Sequence, residues 1–326
     1  MPAVLLTATA VVALVIAAVV SYFAYAFHRY HQVPVTPRHC RETGECLTVG
    51  GFELLVRQLG SEHGGIPIVI LHGGPGHSSL SFKGGMDFLA EHRHVLLYDQ
   101  RGSGYSEVRC GDADYTVEAL VEELDAVRRE VLQADTIDLI GHSAGGAIAQ
   151  RYAALHPSRV RRLVLVGSTT ANNNMSNRLI WRTLGPGLYA AAMGLPPSTS
   201  DEADAWFQSD QLEDDTRRLF DPTDPSPIQD SGPTTFTTWF AVSQSFAGDD
   251  WSALLRELPT PTLVMYGEAD SRYTGEPTAA RICGLLPNAR SVCIPTSGHW
   301  PFLENPAAFR AIVEDFLFAD DSPAAA

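Results

Sequence analysis

Basic residues are scarce in this chain: 23 Lys and Arg stand against 38 Asp and Glu, a formal charge of −15. So acidic a surface repels phosphate backbones, which excludes nucleic acid as a partner. The spacings that hold ions or nucleotides are missing as well. There is no Cys/His pattern of zinc-ligand spacing, no G-x-G-x-x-G and no G-x-x-x-x-G-K-[ST] loop, so no metal or cofactor is expected. Wholesale disorder is excluded too, because 45% of residues are hydrophobic and only 19% charged. The 326 residues leave room for one large domain carrying an insertion, or for two small domains.

Charge is absent altogether from Ala3 to Phe27, and Ala3–Val20 is almost wholly Ala, Val, Leu and Ile. As a helix rising about 1.5 Å per residue, this stretch covers roughly 37 Å, enough to cross a bilayer with some tilt. Residues 1–30 therefore read as a single-pass transmembrane anchor with the lipid bilayer as its partner. The alternative is a cleaved signal peptide ending near Ala24-Tyr25-Ala26, with secretion of the remainder. Against it stand the missing basic n-region and an apolar run longer than the usual 7–15 residues. Arg29, Arg38 and Arg41 follow the run and no basic residue precedes it, a bias that places the rest of the chain on the cytoplasmic face. Cysteine usage leans the other way. Cys40 with Cys46, and Cys283 with Cys293, are close enough in sequence to pair in an oxidising compartment, leaving Cys110 odd; reduced, buried cysteines fit the same count.

Residues 31–45, with Pro34 and Pro37, form a polar linker. Cys46–Val49 and Phe52–Leu59 alternate and meet at Gly50-Gly51, the pattern of a β-hairpin. Apolar runs at Ile66–Leu71, His94–Tyr98, Ile137–Ile140 and Val160–Val166 then alternate with helical spacing at Thr116–Leu132 and Ala147–Leu155. Continuous apolar strands between helices imply a mainly parallel sheet covered on both faces. The order lapses between Ala171 and Leu258, then resumes with Thr262–Tyr266, Ala279–Leu285, Arg290–Ile294 and an amphipathic Pro306–Phe318. A gap of this length is no ordinary loop. The expected organisation is a core at 46–170 and 260–319, an inserted helical cap at 171–259, and a tail at 320–326.

Gly141-His142-Ser143-Ala144-Gly145 fits G-x-S-x-G, and its position between a strand and a helix is that of a nucleophile elbow. Ser143 is the candidate nucleophile. Its oxyanion would be held by two backbone N–H groups: that of Ala144, and one from the His72-Gly73-Gly74-Pro75-Gly76 loop, where Gly74 is the candidate. The acid and base should follow in chain order. Asp270 follows the strand Thr262–Tyr266 within Gly267-Glu268-Ala269-Asp270, and His299 follows the strand Arg290–Ile294 within Thr296-Ser297-Gly298-His299. His299 is the candidate base and Asp270 its orienting acid, with Glu268 a competing carboxylate. His72 precedes its turn and reads as structural. Asp99-Gln100-Arg101-Gly102-Ser103-Gly104 reads as an ion pair with hydrogen bonds bracing the loop beside the oxyanion site.

Together, HGGPG at His72–Gly76, DQRGSG at Asp99–Gly104, the serine elbow and Ser297-Gly298-His299 resemble the proline iminopeptidase branch of the α/β-hydrolases. The resemblance implies an α/β-hydrolase fold and a metal-free serine hydrolase working through an acyl-enzyme, with release of an N-terminal proline or similar residue. Its substrate would be a short peptide or small molecule. Ala144 departs from the branch, which commonly carries Trp after the serine. The cap glutamates that grip a substrate ammonium in that branch have no residue-by-residue match, although Ala171–Leu258 holds 13 Asp/Glu against 5 Arg. A carboxylesterase, a lactonase or a carbon–carbon bond hydrolase suits the same residues. A membrane-tethered binding module without catalysis is the reading from another class.

Overall fold

The computed structural model describes residues 2–31, 35–40, 44–109, 114–170, 200–248, 250–271 and 273–319. Eight strands form one sheet: β1 (Glu45–Val49), β2 (Phe52–Leu59), β3 (Ile68–Leu71), β4 (Val95–Tyr98), β5 (Ile137–His142), β6 (Val160–Val166), β7 (Thr262–Gly267) and β8 (Ala289–Ile294). Their order across the sheet is β1-β2-β4-β3-β5-β6-β7-β8. The hairpin turns at Gly50 and Gly51, both with positive φ, and β2 runs antiparallel to β4. From β4 to β8 every neighbouring pair is parallel.

The apolar runs become strands because both of their faces are covered. All of β3, β4 and β5 is buried. One face packs against α2 (Val117–Ala126) and α3 (Ala144–Leu155), through Leu120, Leu124, Ile148 and Tyr152. The other carries Phe82, Leu89, Phe302, Phe309, Val313 and Leu317. The edge strands β1 and β8 leave most of their residues partly or fully exposed. The chain leaves β3 for β4 on one side and returns to β5 on the other, so β3 and β5 flank a topological switch point, where open α/β sheets bind ligands.

Between β6 and β7 the described residues contain helices at Ser200–Thr216, Phe236–Gly248 and Ser252–Arg256. With a helix numbered α1 at Pro2–His31, these are α4, α5 and α6. Helices α4 and α5 share a small apolar cluster of Ala203, Phe207, Phe236 and Phe240. Residues 171–199, assigned from sequence to the same insertion, lie outside the described residues. Helix α7 (Glu276–Leu285) follows β7, and α8 (Pro301–Glu304) and α9 (Pro306–Phe318) follow β8.

The expected transmembrane anchor is corrected by the structure. The apolar N-terminal run is helical, as its alanine and leucine content favours. Yet among the described residues no helix is long and apolar enough to cross a membrane. The single-pass assignment of residues 1–30, the bilayer as partner and the cytoplasmic placement inferred from it fall together. Of the two cysteine pairs close in sequence, Cys40 and Cys46 are bonded, whereas Cys283 and Cys293 are free. Cys110 lies outside the described residues.

Candidate active site

Ser143 sits between the last residue of β5 and the first of α3, with φ 54° and ψ −120°. Non-glycine residues rarely adopt this region, and holding one there costs on the order of 1–3 kcal/mol. The glycines around it explain how the turn closes. A Cβ at Gly145 would lie 2.3 Å from the His72 carbonyl oxygen, and one at Gly146 would lie 2.1 Å from Ser168 Oγ. Side chains at those positions would push α3 off the sheet. The Ser143 backbone is fastened to β6, its N–H donating to Val166 O at 3.0 Å. Helix α3 starts at Ala144, so the positive end of its dipole faces the serine.

The loop after β3 lies directly alongside. A Cβ at Gly73 would come within 2.8 Å of Ser143 Cβ, which places Gly73 against the nucleophile candidate. Gly74 has φ 115°, a cis bond to Pro75, and the His77 ring as its nearest neighbour. His72 is buried and structural, as expected. Its Nε2 accepts from Gln100 N at 3.1 Å, so its Nδ1 carries the proton and donates to Gly73 O at 2.8 Å. Gln100 Nε2 donates back to His72 O at 3.1 Å.

The expected Asp99–Arg101 ion pair does not form. Asp99 accepts instead from Ser78 Oγ at 3.1 Å and from the N–H groups of Ser79 at 2.6 Å and Tyr105 at 2.8 Å. Arg101 turns away to Glu123 Oε2 at 2.8 Å and lies over the Phe52 ring. Backbone donors satisfy Asp99 more compactly than a guanidinium would, and Gly104 leaves room for them, since a Cβ there would meet Asp99 Oδ2 at 2.1 Å.

Asp270 and His299 meet where the sheet order brings the ends of β7 and β8 together. His299 Nδ1 lies 3.0 Å from Asp270 Oδ2, and the two side chains are 1% and 0% exposed. Asp270 Oδ1 also accepts from Ser271 N at 2.7 Å and Thr274 Oγ1 at 2.8 Å. Burial pushes the Asp270 carboxyl up, but the His299 charge and hydrogen bond, Arg218 and Thr274 outweigh it and bring it down to about 2. His299 is lowered from the ordinary histidine range, first by burial and then by Arg218, with Asp270 acting in the opposite sense. The result is a neutral imidazole whose Nδ1–H is held by a carboxylate, leaving Nε2 unprotonated. Gly167, at the end of β6, makes room: a Cβ there would lie 2.9 Å from His299 Nδ1. Glu268 is not part of this pair; its Oε2 accepts from Thr296 N at 3.0 Å.

Four groups around the base escaped the motif reading. Glu304 Oε1 accepts from Gly298 N at 3.0 Å and Trp300 N at 3.1 Å, bracketing His299. His142 Nε2 reaches the His299 carbonyl oxygen at 3.0 Å. Thr274 follows Asp270 by four residues, the one signal a sequence could have offered. Arg218, just beyond α4, offers its carbonyl to His299 N at 2.9 Å. Two acidic residues of α4 are engaged elsewhere. Asp204 accepts from Phe236 N at 2.8 Å and faces Arg38, and Asp215 lies 3.7 Å from Arg218. Asp215 is pushed up to about 7, by burial first, with Arg218 opposing. Among the described residues no group of three or more His, Cys, Asp or Glu could hold a metal ion.

The chain has relatives among known proteins. The chain is 29% identical over 297 residues to the 2-hydroxymuconate semialdehyde hydrolase of Pseudomonas sp. (strain CF600), spanning 88% of this chain and 98% of that one. It is equally 29% identical over 296 residues to the proline iminopeptidase of Lactobacillus delbrueckii subsp. bulgaricus, spanning 86% and 99%. In fold it is similar to a hydrolase from Pseudomonas aeruginosa PA01, with a TM-score of 0.67 at 24% identity over 85% of this chain and 98% of the other. The model of the family described as alpha/beta hydrolase fold matches residues 66–306, and the chain belongs to that family of hydrolytic enzymes.

Proposed function

We propose that this protein is a serine hydrolase in which Ser143 is the nucleophile, His299 the base and Asp270 the residue that orients it. The observation that carries the reading is the buried Asp270–His299 pair at 3.0 Å, on the same sheet edge as a serine held at φ 54°. His299 Nε2 takes the Ser143 proton as Oγ attacks the substrate carbonyl. The resulting oxyanion is met by the N–H of Ala144 and by a second N–H from the Gly73-Gly74 turn, with Gly74 the proposed donor. Collapse breaks the bond to the leaving group, which receives the proton from His299. Water, deprotonated by the same imidazole, then attacks the acyl-enzyme, and Ser143 Oγ recovers the proton. Helices α4 and α5, within the proposed cap at 171–259, lie over this edge. Thr235 N donates to Gly76 O at 2.8 Å, and Thr238 Oγ1 to Gly102 O at 2.7 Å.

For the substrate, a small ester, lactone or carbon–carbon bond ranks ahead of an N-terminal peptide bond. Asp204 and Asp215, the carboxylates of α4 turned inward, are engaged by Phe236 N and Arg38 and by Arg218, so neither is free to grip an ammonium. The aminopeptidase reading keeps one support, the HGGPG and DQRGSG loops, whose network of Ser78, Asp99 and Gln100 is complete. A fluorophosphonate probe should label Ser143, and a folded protein that stays unlabelled would sink the hydrolase reading. Rates on p-nitrophenyl acetate and butyrate should exceed those on proline β-naphthylamide; the opposite order would favour the aminopeptidase.

A further inference from the structure

Arg218 stands two residues beyond the end of α4, yet it touches the base and the aromatic residue that follows it, and reaches the acid through Thr274. Its carbonyl accepts from His299 N at 2.9 Å. Its Nη2 donates to Thr274 Oγ1 at 3.2 Å, and that hydroxyl donates to Asp270 Oδ1 at 2.8 Å. The guanidinium lies 5.8 Å from the Trp300 ring centroid and 3.7 Å from Asp215. Contact at Gly298 is close enough that a Cβ there would fall 2.1 Å from the Arg218 carbonyl oxygen. The helical insertion and the ends of β7 and β8 thus meet at Arg218.

We infer that Arg218 is a positioning residue for the Asp270–His299 pair, which fixes that pair from the helical insertion rather than from the sheet. The inference rests on the hydrolase reading above. Physically, a fork with one arm on Thr274 and another on Asp215 holds the hydroxyl that orients Asp270, while the main chain of the same residue holds His299. A fixed cation beside the imidazole also opposes its protonation, so the base stays neutral. The other groups facing His299 are Asp270 from the β7 end, Asp214 from α4, His142 from β5 and His77 from the loop after β3. Asp270 and Asp214 favour the imidazolium, and burial disfavours it, as Arg218 does.

The test uses the full chain, p-nitrophenyl butyrate and the rate of fluorophosphonate labelling across pH, with wild type, Arg218→Met and Arg218→Lys. Arg218→Met should lower kcat roughly 10- to 100-fold, the scale of a misplaced catalytic group. It should also move the acid limb of the labelling profile to higher pH. Arg218→Lys keeps the charge and loses the fork, so its limb should stay at the wild-type pH while kcat falls. A purely structural role would lower kcat in the Met variant without moving the limb, and that result overturns the inference. Should the Met variant fail to fold, a Lys variant with wild-type kcat overturns it. Unlabelled wild type would remove the hydrolase reading itself; labelled wild type with unmoved limbs removes only the role of Arg218.

Discussion

His142 Nε2 donates to the carbonyl oxygen of His299 at 3.0 Å, tying the residue before the nucleophile candidate to the base candidate. A carbonyl only accepts, so the His142 proton sits on Nε2. Burial, followed by the nearby His299, holds His142 well below its ordinary range, and the ring is neutral when it makes this bond. Replacement by Ala leaves the carbonyl without that donor and opens space beside rings lying 4.7 and 5.2 Å away, those of His299 and Phe302. His142→Ala should lower kcat roughly 10-fold or more and cost about 2–3 kcal/mol of stability, while His142→Gln, which keeps a donor, recovers part of both. Chemical denaturation alongside steady-state rates checks this; equal losses in the two variants would contradict it.

Gly167 separates stability from catalysis. A Cβ there would lie 2.9 Å from His299 Nδ1 and 3.1 Å from Asp270 Oδ2, and the residue has φ +49°. Gly167→Ala should cost only about 1–2 kcal/mol of backbone strain. Its kcat/KM should fall roughly 100-fold, because the acid–base pair is forced apart. A variant with wild-type turnover would show that the pair tolerates displacement.

The pH dependence follows from the two directions of shift. Burial and Arg218 disfavour the His299 cation, so the active neutral form persists below the ordinary histidine value of 6.5. The midpoint of the acid limb for labelling of Ser143 should therefore lie below pH 6.5. For Asp270, the folded value of about 2 lies below the ordinary 3.8. Its contribution to stability is thus complete above 3.8 and is lost as pH falls toward 2. An acid limb at or above 6.5 would contradict the first expectation.

Glu123 is fully buried against Arg101, with side-chain exposures of 0% and 10%. Arg101→Met strands a buried carboxylate and should cost about 3–5 kcal/mol, whereas Arg101→Met with Glu123→Leu should recover most of it. Thermal melts of both variants decide the matter; a double variant no more stable than the single would argue against the pair.

The disulfide between Cys40 and Cys46 spans six positions and holds the segment bearing Arg38 beside β1. By the loop-entropy relation, changing both to Ser should cost roughly 2 kcal/mol. Arg38 reaches Thr235 Oγ1 at 3.0 Å, beside the helices over the site, so the same variant should also expose that face to faster hydrogen exchange. Unchanged exchange at residues 235–240 would count against the link.

Much of this was legible because local chemistry forced it. Gly50-Gly51 could only be a turn, and the strand runs, apolar without alternation, had to be buried on both faces. G-x-S-x-G betrayed itself because glycines at 141, 145 and 146 are demanded by contacts below 3 Å. The run of uncharged residues reported the N-terminal helix, but the anchor read from it is not supported: among the described residues no helix is long and apolar enough to cross a membrane. The Asp99–Arg101 pair was misread because adjacency in sequence says nothing about direction. Backbone N–H groups at 79 and 105 captured the carboxylate, and the guanidinium found Glu123 on α2.

By itself, then, the sequence determined which residues end which strands: Ser143 after β5, Asp270 after β7 and His299 after β8. Periodicity and glycine placement are local properties, and they suffice for that. Only the tertiary structure decided what surrounds the base. The sheet order set Gly167 between acid and serine, and chain reversal brought Glu304 and His142 to either side of His299. The insertion delivered Arg218 from 81 residues upstream, as the spacing of the two numbers shows. None of these carries a motif, because a hydrogen bond across such a separation depends on how elements pack and leaves no period in the chain.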